Sequence, residues 1–255
     1  MTEPQNPLTP IELSMVARTR DLPTPSRALA IGAHPDDADF NCGATLAKWA
    51  AAGCEVSILV CTDGSKGTWD PTVDVADLVA TRRHEQRAAA EALGATGQVV
   101  FLGWPDGGLE SGVEPRWQVA SWIRRLRPDV VLGHDPWKRY RLHPDHRHAG
   151  WLTTDGVVAA RDAAFFPEQQ IPHWRPDALL LFEADEPDHV EDVTGHEAAK
   201  VAALRSHTSQ FESTMHATSD DDLERFGRQV IEKMAAAGRA TGVGAAEVFK
   251  LIDDL

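Results

Sequence analysis

An α/β fold, with a mostly parallel sheet covered by helices on both faces, is predicted by three features of the sequence. Residues 27–33 and 55–62 are nearly continuous runs of small and apolar residues, the pattern of parallel strands buried on both sides. Between them, residues 43–52 read as a helix ended by Gly53, which makes strand, helix and strand a βαβ unit. Apolar strands and helical runs then keep alternating down the chain, which gives the sheet its Rossmann-like character.

The elements follow in order. Residues 1–25 carry prolines at 4, 7, 10, 23 and 25 and read as an arm that packs on the domain or on a neighbouring subunit of a homo-oligomer. A single domain is expected over residues 26–255. After the first βαβ unit, residues 75–93 form the clearest helix, with Leu78, Val79, Arg82, Glu85, Gln86 and Ala89 at helical spacing and Gly94 closing it. Strands are expected at 98–102, 129–133, 178–182 and, shorter, 189–194. Helices are expected at 115–126, 149–160, 196–206 and 220–237, the last with Ser219 as its cap. Residues 238–255 suggest no element.

Composition narrows the function classes. The 255 residues suffice for a substantial core, and 42% apolar with 25% charged residues is the balance of a globular protein. The 25 Lys and Arg against 39 Asp and Glu leave a net charge of −14, which argues against a nucleic-acid partner or an anionic lipid surface. No run is apolar enough to span a bilayer, and the N-terminal segment lacks a signal-peptide core, so a cytoplasmic protein is expected. Cys42, Cys54 and Cys61 are odd in number and without metal-type spacing, and read as buried apolar residues.

Two short clusters carry the chemistry. His34-Pro35-Asp36-Asp37 follows the first strand, at the end where open α/β sheets place ligands. Pro35 stiffens the turn and biases His34 away from helical geometry, so that His34 and Asp37 can face one space. An aspartate ahead of a helix is by itself an ordinary cap. The second cluster, His143-Pro144-Asp145-His146, repeats the same chemistry after the strand at 129–133. His146 completes a two-His, one-carboxylate set with His34 and Asp37, the ligand number of a catalytic zinc that keeps one position for water. Fe²⁺ or Mn²⁺ is the alternative ion. His143 and Asp145 then remain as a positioned acid and its orienter, and Asp36 as a spare carboxylate beside the ion.

Ala33-His34-Pro35-Asp36-Asp37-Ala38-Asp39, then Gly43-Ala44-Thr45-Leu46, Thr62-Asp63-Gly64, Arg82 with Glu85, and His143-Pro144-Asp145-His146 occur in an order and spacing that resembles the LmbE-like (PIG-L) family of zinc-dependent de-N-acetylases. The resemblance runs from about residue 27 to about residue 210 and takes in His207-Thr208-Ser209-Gln210 as a late motif. It implies the LmbE-like fold and removal of an N-acyl group, most simply acetyl, from an amino sugar or related small molecule. It makes Asp36 the general base and gives His143, oriented by Asp145, to the oxyanion. Arg82, with Glu85 as its anchor, and Asp106 become substrate contacts. Asp63 falls near the metal, and residues 134–137 line the pocket. Tyr140 stands one residue out of register with the aromatic that family members carry before the second motif, so its role as a substrate contact follows less directly. Some LmbE-like proteins hydrate unsaturated dicarboxylic acids, and Lys66, Arg82, Lys138, Arg139 and Arg141 could serve such a substrate. The alternative expectation is therefore a metal-dependent hydratase.

Overall fold

The computed structural model describes residues 19–255; residues 1–18 of the expected arm lie outside them. In chain order the strands are β1 (Thr19–Arg20), β2 (Arg27–Gly32), β3 (Glu55–Thr62), β4 (Val99–Trp104), β5 (Val130–His134), β6 (Ala178–Phe182), β7 (His189–Asp192) and β8 (Ala246–Ile252). The helices are α1 (Asp37–Ala51), α2 (Val75–Ala92), α3 (Val113–Leu126), α4 (Pro144–Arg161), α5 (Glu197–Arg205) and α6 (Asp220–Thr241). One eight-stranded sheet is built in the order β1-β7-β8-β6-β5-β2-β3-β4. Its pairs are parallel except those that β8 makes with β6 and β7.

Alternate residues of the central strands feed two cores, as the two-residue period of a strand requires. Ala28, Ala30, Val56 and Ile58 face a layer that includes Leu46 and Trp49 of α1 and Ala89 of α2. Leu29, Ile31 and Leu59 face Val119 and Ile123 of α3 and Leu152 of α4. Every one of these positions is buried, so the strands read as continuous apolar runs rather than alternating ones. Local signals fix the helix starts. Asp74 accepts from the backbone N–H of Ala76 and Asp77 ahead of α2, and Ser219 accepts from that of Asp222 ahead of α6.

The expected elements are present, with three differences. The first helix begins at Asp37 rather than 43 and breaks at Cys42, whose φ of −138° is not helical. Past the break, Glu247 of β8 accepts from the N–H groups of Ala44 and Thr45, an internal cap that the local pattern does not reveal. Thr19 and Arg20, expected in the arm, pair with β7 as the edge strand, so the sheet starts before residue 26. The segment 238–255 supplies the end of α6 and then β8, inserted between β6 and β7.

The chain order creates the site. From β2 it runs outward through β3 to β4, then returns to lay β5 against the other side of β2. The helices that follow, α1 after β2 and α4 after β5, lie on opposite faces. The carboxyl ends of β2 and β5 thus meet at a switch point, where a crevice must open.

Candidate metal centre

The turn after β2 leaves almost no room between strand and helix. A Cβ on Gly32 would stand 2.9 Å from Cβ of Asp37, so only glycine lets α1 start this close. Asp37 Oδ2 accepts the backbone N–H of His34 at 2.8 Å, which locks the turn across its own two outer members. Asp36, between them, takes φ 108°, a conformation side-chain-bearing residues avoid, and it persists because neighbours hold it from both sides. Gln86 Oε1 accepts the Asp36 N–H at 2.8 Å, and Arg82 Nη2 donates to the Pro35 carbonyl at 2.7 Å and lies 3.2 Å from Asp36 Oδ2. Behind Gln86, its Nε2 donates to Asp39 at 2.8 Å, and Asp39 bonds His207 at 2.9 Å.

From the facing element, His143 is the residue preceding α4, Pro144 and Asp145 are in its first turn, and His146 follows. Three side chains converge. His34 Nδ1 lies 3.2 Å from His146 Nε2 and 3.6 Å from Asp37 Oδ2, and His146 Nε2 lies 3.3 Å from Asp37 Oδ1. Ligands about 2.0–2.1 Å from one tetrahedral ion stand ~3.3 Å from each other, and the two imidazole nitrogens and the Asp37 carboxylate, which meets one ring through each of its oxygens, are spaced on that scale. His34, Asp37 and His146 therefore fit the ion the sequence predicts. The other ring nitrogen of His34 is engaged by Asp145 Oδ2 at 3.1 Å and Asp106 Oδ1 at 3.3 Å, the carboxylate support that fixes a ligating imidazole.

His134, at the end of β5, joins this group more closely than a pocket wall would. Its Nε2 lies 3.1 Å from Asp37 Oδ2, its ring stacks on His146 with centroids 4.5 Å apart, and its Nδ1 faces Glu183 at 3.5 Å. Asp37, His134 and His146 form a donor set of their own among the described residues, as do His34, His143 and His146. His134 and Glu183 carry no motif of their own; a histidine at the carboxyl end of an apolar strand beside the second cluster is the only local signal.

Charge and burial set the protonation states. Burial opposes a proton on His34, but Asp106, Asp145 and Asp37 outweigh it and push its pKa up to about 12. Burial resists ionisation of Asp37 too, yet His146 and His134 hold it well below the usual carboxylate range. His146 is driven down to about 4, by burial first, with Asp37 opposing and the other histidines adding to the depression. Asp36 is raised to about 6, because burial outweighs the attraction of Arg82. His143 is lowered by burial and by the His34 charge, and so is neutral near neutral pH.

The remaining expected residues fall into place or out of it. Asp106 lines the cavity, with Oδ2 accepting the Lys66 N–H at 3.0 Å. Asp145 orients His34 instead of His143: it is fully buried and also accepts the N–H groups of Gly107 and Leu109. Arg82 borders the cavity but is 3% exposed, with Nη1 donating to Gly64 and Nη2 to Pro35 and Asp36, which makes it a support of the turn in place of the expected substrate contact. Glu85 is not its anchor, since its carboxylate accepts from Thr208 and Ser209. Asp63 accepts the Ser65 and Asp106 N–H groups and braces two loops away from the metal donors. Tyr140 is 91% exposed at a positive φ and is absent from the cavity lining; the one-residue offset gives the inward position to Arg141, whose Nη1 lies 2.9 Å from His146 Nδ1 and whose Nη2 lies 2.6 Å from Glu183 Oε2. Ligation through His146 Nε2 puts that ring's proton on Nδ1, so the Arg141 contact is one that metal binding must break.

The chain is similar to known proteins over the segments that build this site. The model of a family described as PIG-L, GlcNAc-PI de-N-acetylase, matches residues 29–157, which include both clusters. A diacetylchitobiose deacetylase of Thermococcus kodakarensis is 35% identical over 188 residues, 72% of this chain and 70% of that one. The chain belongs to the PIG-L family. Another relative, a 1D-myo-inositol 2-acetamido-2-deoxy-alpha-D-glucopyranoside deacetylase of Mycolicibacterium vanbaalenii, is 34% identical over 231 residues, 72% of this PIG-L chain and 81% of that one. Among solved structures, the N,N'-diacetylchitobiose deacetylase of Pyrococcus horikoshii superposes with a TM-score of 0.80 at 29% identity, covering 90% of this chain and 84% of that one. The PIG-L fold thus extends well beyond the matched segment, through the carboxyl-terminal strands and helices.

Proposed function

We propose that the chain is a zinc-dependent hydrolase that removes an N-acetyl group from an amino sugar or a related small molecule, with His34, Asp37 and His146 holding the ion. The observation that carries this reading is the convergence of those three side chains, within 3.2–3.6 Å of one another, beside a buried Asp36 carboxylate that Arg82 meets. Bound zinc supplies a Lewis acid for the amide carbonyl and lowers the pKa of a coordinated water to about 7. Asp36, ionised above its pKa of about 6, accepts the proton of the attacking water and returns it to the departing nitrogen. Neutral His143, on the open side of the cavity, donates a hydrogen bond to the oxyanion of the tetrahedral intermediate. Arg82 keeps Asp36 ionised, Asp145 keeps Nδ1 of His34 directed at the ion, and Asp106, on the cavity wall, meets a sugar hydroxyl. Both named relatives are deacetylases of acetylated amino sugars, which supports the substrate class.

The hydratase alternative is weaker because its cations are already occupied. Arg82 is tied to Asp36, Arg139 to Asp185 and Arg141 to Glu183, and Lys138 donates to the Glu183 carbonyl. Of the five, Lys66 and Lys138 make no ion pair among the described residues, and Lys138 is already tied to a backbone carbonyl, which is poor provision for two carboxylates. We assign the enzyme to the cytoplasm, in keeping with three buried cysteines that form no disulfide.

The deciding assay measures acetate and free amine released from N-acetylglucosamine derivatives by zinc-loaded protein, alongside hydration of an unsaturated dicarboxylate. Asp36→Asn should retain zinc and lose about 10²–10⁴-fold in kcat. Full activity in Asp36→Asn, or alkene hydration without amide cleavage, would overturn the reading.

A further inference from the structure

A second cavity opens beside the metal centre, and nothing in the proposed chemistry uses it. It is about 350 Å³ in volume, next to the metal cavity of about 520 Å³, and the two share Phe40, Asn41, Glu183 and Lys233 as a common border. Its far walls are Leu204 of α5 with Phe226, Val230 and Met234 of α6. At its base, Lys200 and Glu247 are joined at 2.6 Å, so the charged groups there already satisfy each other. The outer side of α6 holds exposed ion pairs, Arg228 with Glu224 and Arg239 with Glu232, while apolar groups of its inner side, packed on α5 and β8 neighbours, also line the cavity.

Protein interiors are packed to the density of organic crystals, and voids larger than a water molecule are few. The side cavity is instead a cleft open on one side, and its apolar walls beside a catalytic cavity would gain burial and dispersion from an occupant. Its volume lies in the ~300–1,000 Å³ range of small-molecule sites. An acetyl group and one sugar ring would fit within the metal cavity; Phe40, whose ring meets Phe226 edge-to-face at 6.1 Å, stands on the border between it and the side cavity.

We infer that the side cavity under α6 is a subsite for an apolar arm of the substrate, which extends past Phe40 from the amide held at the metal centre. The substrate class is then an N-acylated amino sugar bearing an alkyl or aryl group. That chemistry can come from an aglycone on the sugar or from an acyl chain longer than acetyl. The inference rests on the de-N-acylase reading above.

Two substrate series distinguish the sources: alkyl N-acetylglucosaminides from methyl to octyl, and N-acylglucosamines from acetyl to octanoyl. Each methylene that enters the cavity should raise kcat/KM about two- to fourfold, mostly through KM, until the cavity is full. The gain appears in the series whose chain takes that path. Val230→Phe and Ala237→Leu, both of which fill the cavity, should abolish the gain while leaving kcat/KM for the methyl glycoside within about twofold, which also shows the variants are folded. Calorimetric binding of hexyl glucoside, which has no amide, should be measurable in the zinc-loaded wild type and lost in both variants. Flat profiles in both series, or a gain that survives both fillings, overturn the subsite. Hexyl glucoside binding that the fillings abolish, without amide cleavage of any substrate, retains the subsite and rejects the deacetylase reading instead.

Discussion

Asp145 Oδ2 sits 3.1 Å from Nε2 of His34, on the side of the ring away from His146 and Asp37, and so sets which nitrogen faces those two candidate donors. The carboxylate is fully buried and takes two backbone N–H groups from the loop after β4, so its position does not depend on His34 alone. Asp145→Ala should weaken zinc affinity by about 10–100-fold, as loss of an outer carboxylate partner does in other metal sites. Competition against a chromogenic chelator measures this, and an unchanged affinity would exclude the orienting role.

Arg82 acts on Asp36 through charge. Burial raises the Asp36 pKa and Arg82 lowers it, so removing the guanidinium lets it rise further above about 6. Activity that needs ionised Asp36 is present above that pKa and lost below it, so the acidic limb of kcat against pH should move to higher pH in Arg82→Leu. Arg82→Lys, which keeps the charge but not the fork, should move it less. An acidic limb that stays put in Arg82→Leu would dissociate the two residues.

Gln86 supports the strained backbone rather than the chemistry. Gln86→Leu leaves the buried Asp36 N–H without its acceptor, a cost of about 1–3 kcal/mol that denaturant unfolding can read. Because Asp36 then loses its fixed position, kcat should fall while KM changes little.

Arg141 and the metal compete for one histidine. Arg141 donates to the nitrogen of His146 that must carry a proton when the other nitrogen ligates, so Arg141→Ala should tighten zinc binding by about fivefold, the worth of about one hydrogen bond. A weaker zinc affinity in Arg141→Ala would show that the contact assists the ion instead.

Lys200 and Glu247 are buried together, and Glu247 also caps the broken α1. Lys200→Met strands a buried carboxylate and should cost about 3–5 kcal/mol. The added change Glu247→Gln, which removes the charge, should recover part of this loss; equal stability of single and double variants would deny the coupling.

The outline of the fold was readable because burial on both faces forces apolar runs into the central strands, and Asp74 and Ser219 cap their helices with nearby side chains. What escaped was held by distant partners. The residues of β8 form a strand because β6 and β7 supply hydrogen bonds on either side, and the break in α1 is capped by a glutamate some two hundred positions away, a separation of 203 for Ala44. The late motif shows the same limit: His207, Thr208, Ser209 and Gln210 reach back to Asp39, Glu85 and Gly67, contacts that spacing along the chain does not encode.

The types of the candidate donors were determined locally, since a proline-stiffened turn at a strand's carboxyl end can present only the His and Asp side chains written into it. Assignment of supporting roles was decided by the tertiary structure. Whether Arg82 touches substrate or Asp36, whether Asp145 serves His143 or His34, and whether His134 belongs to the centre depend on directions and distances of about 3 Å between segments far apart in sequence, and such contacts are fixed only when β5 returns to pack beside β2.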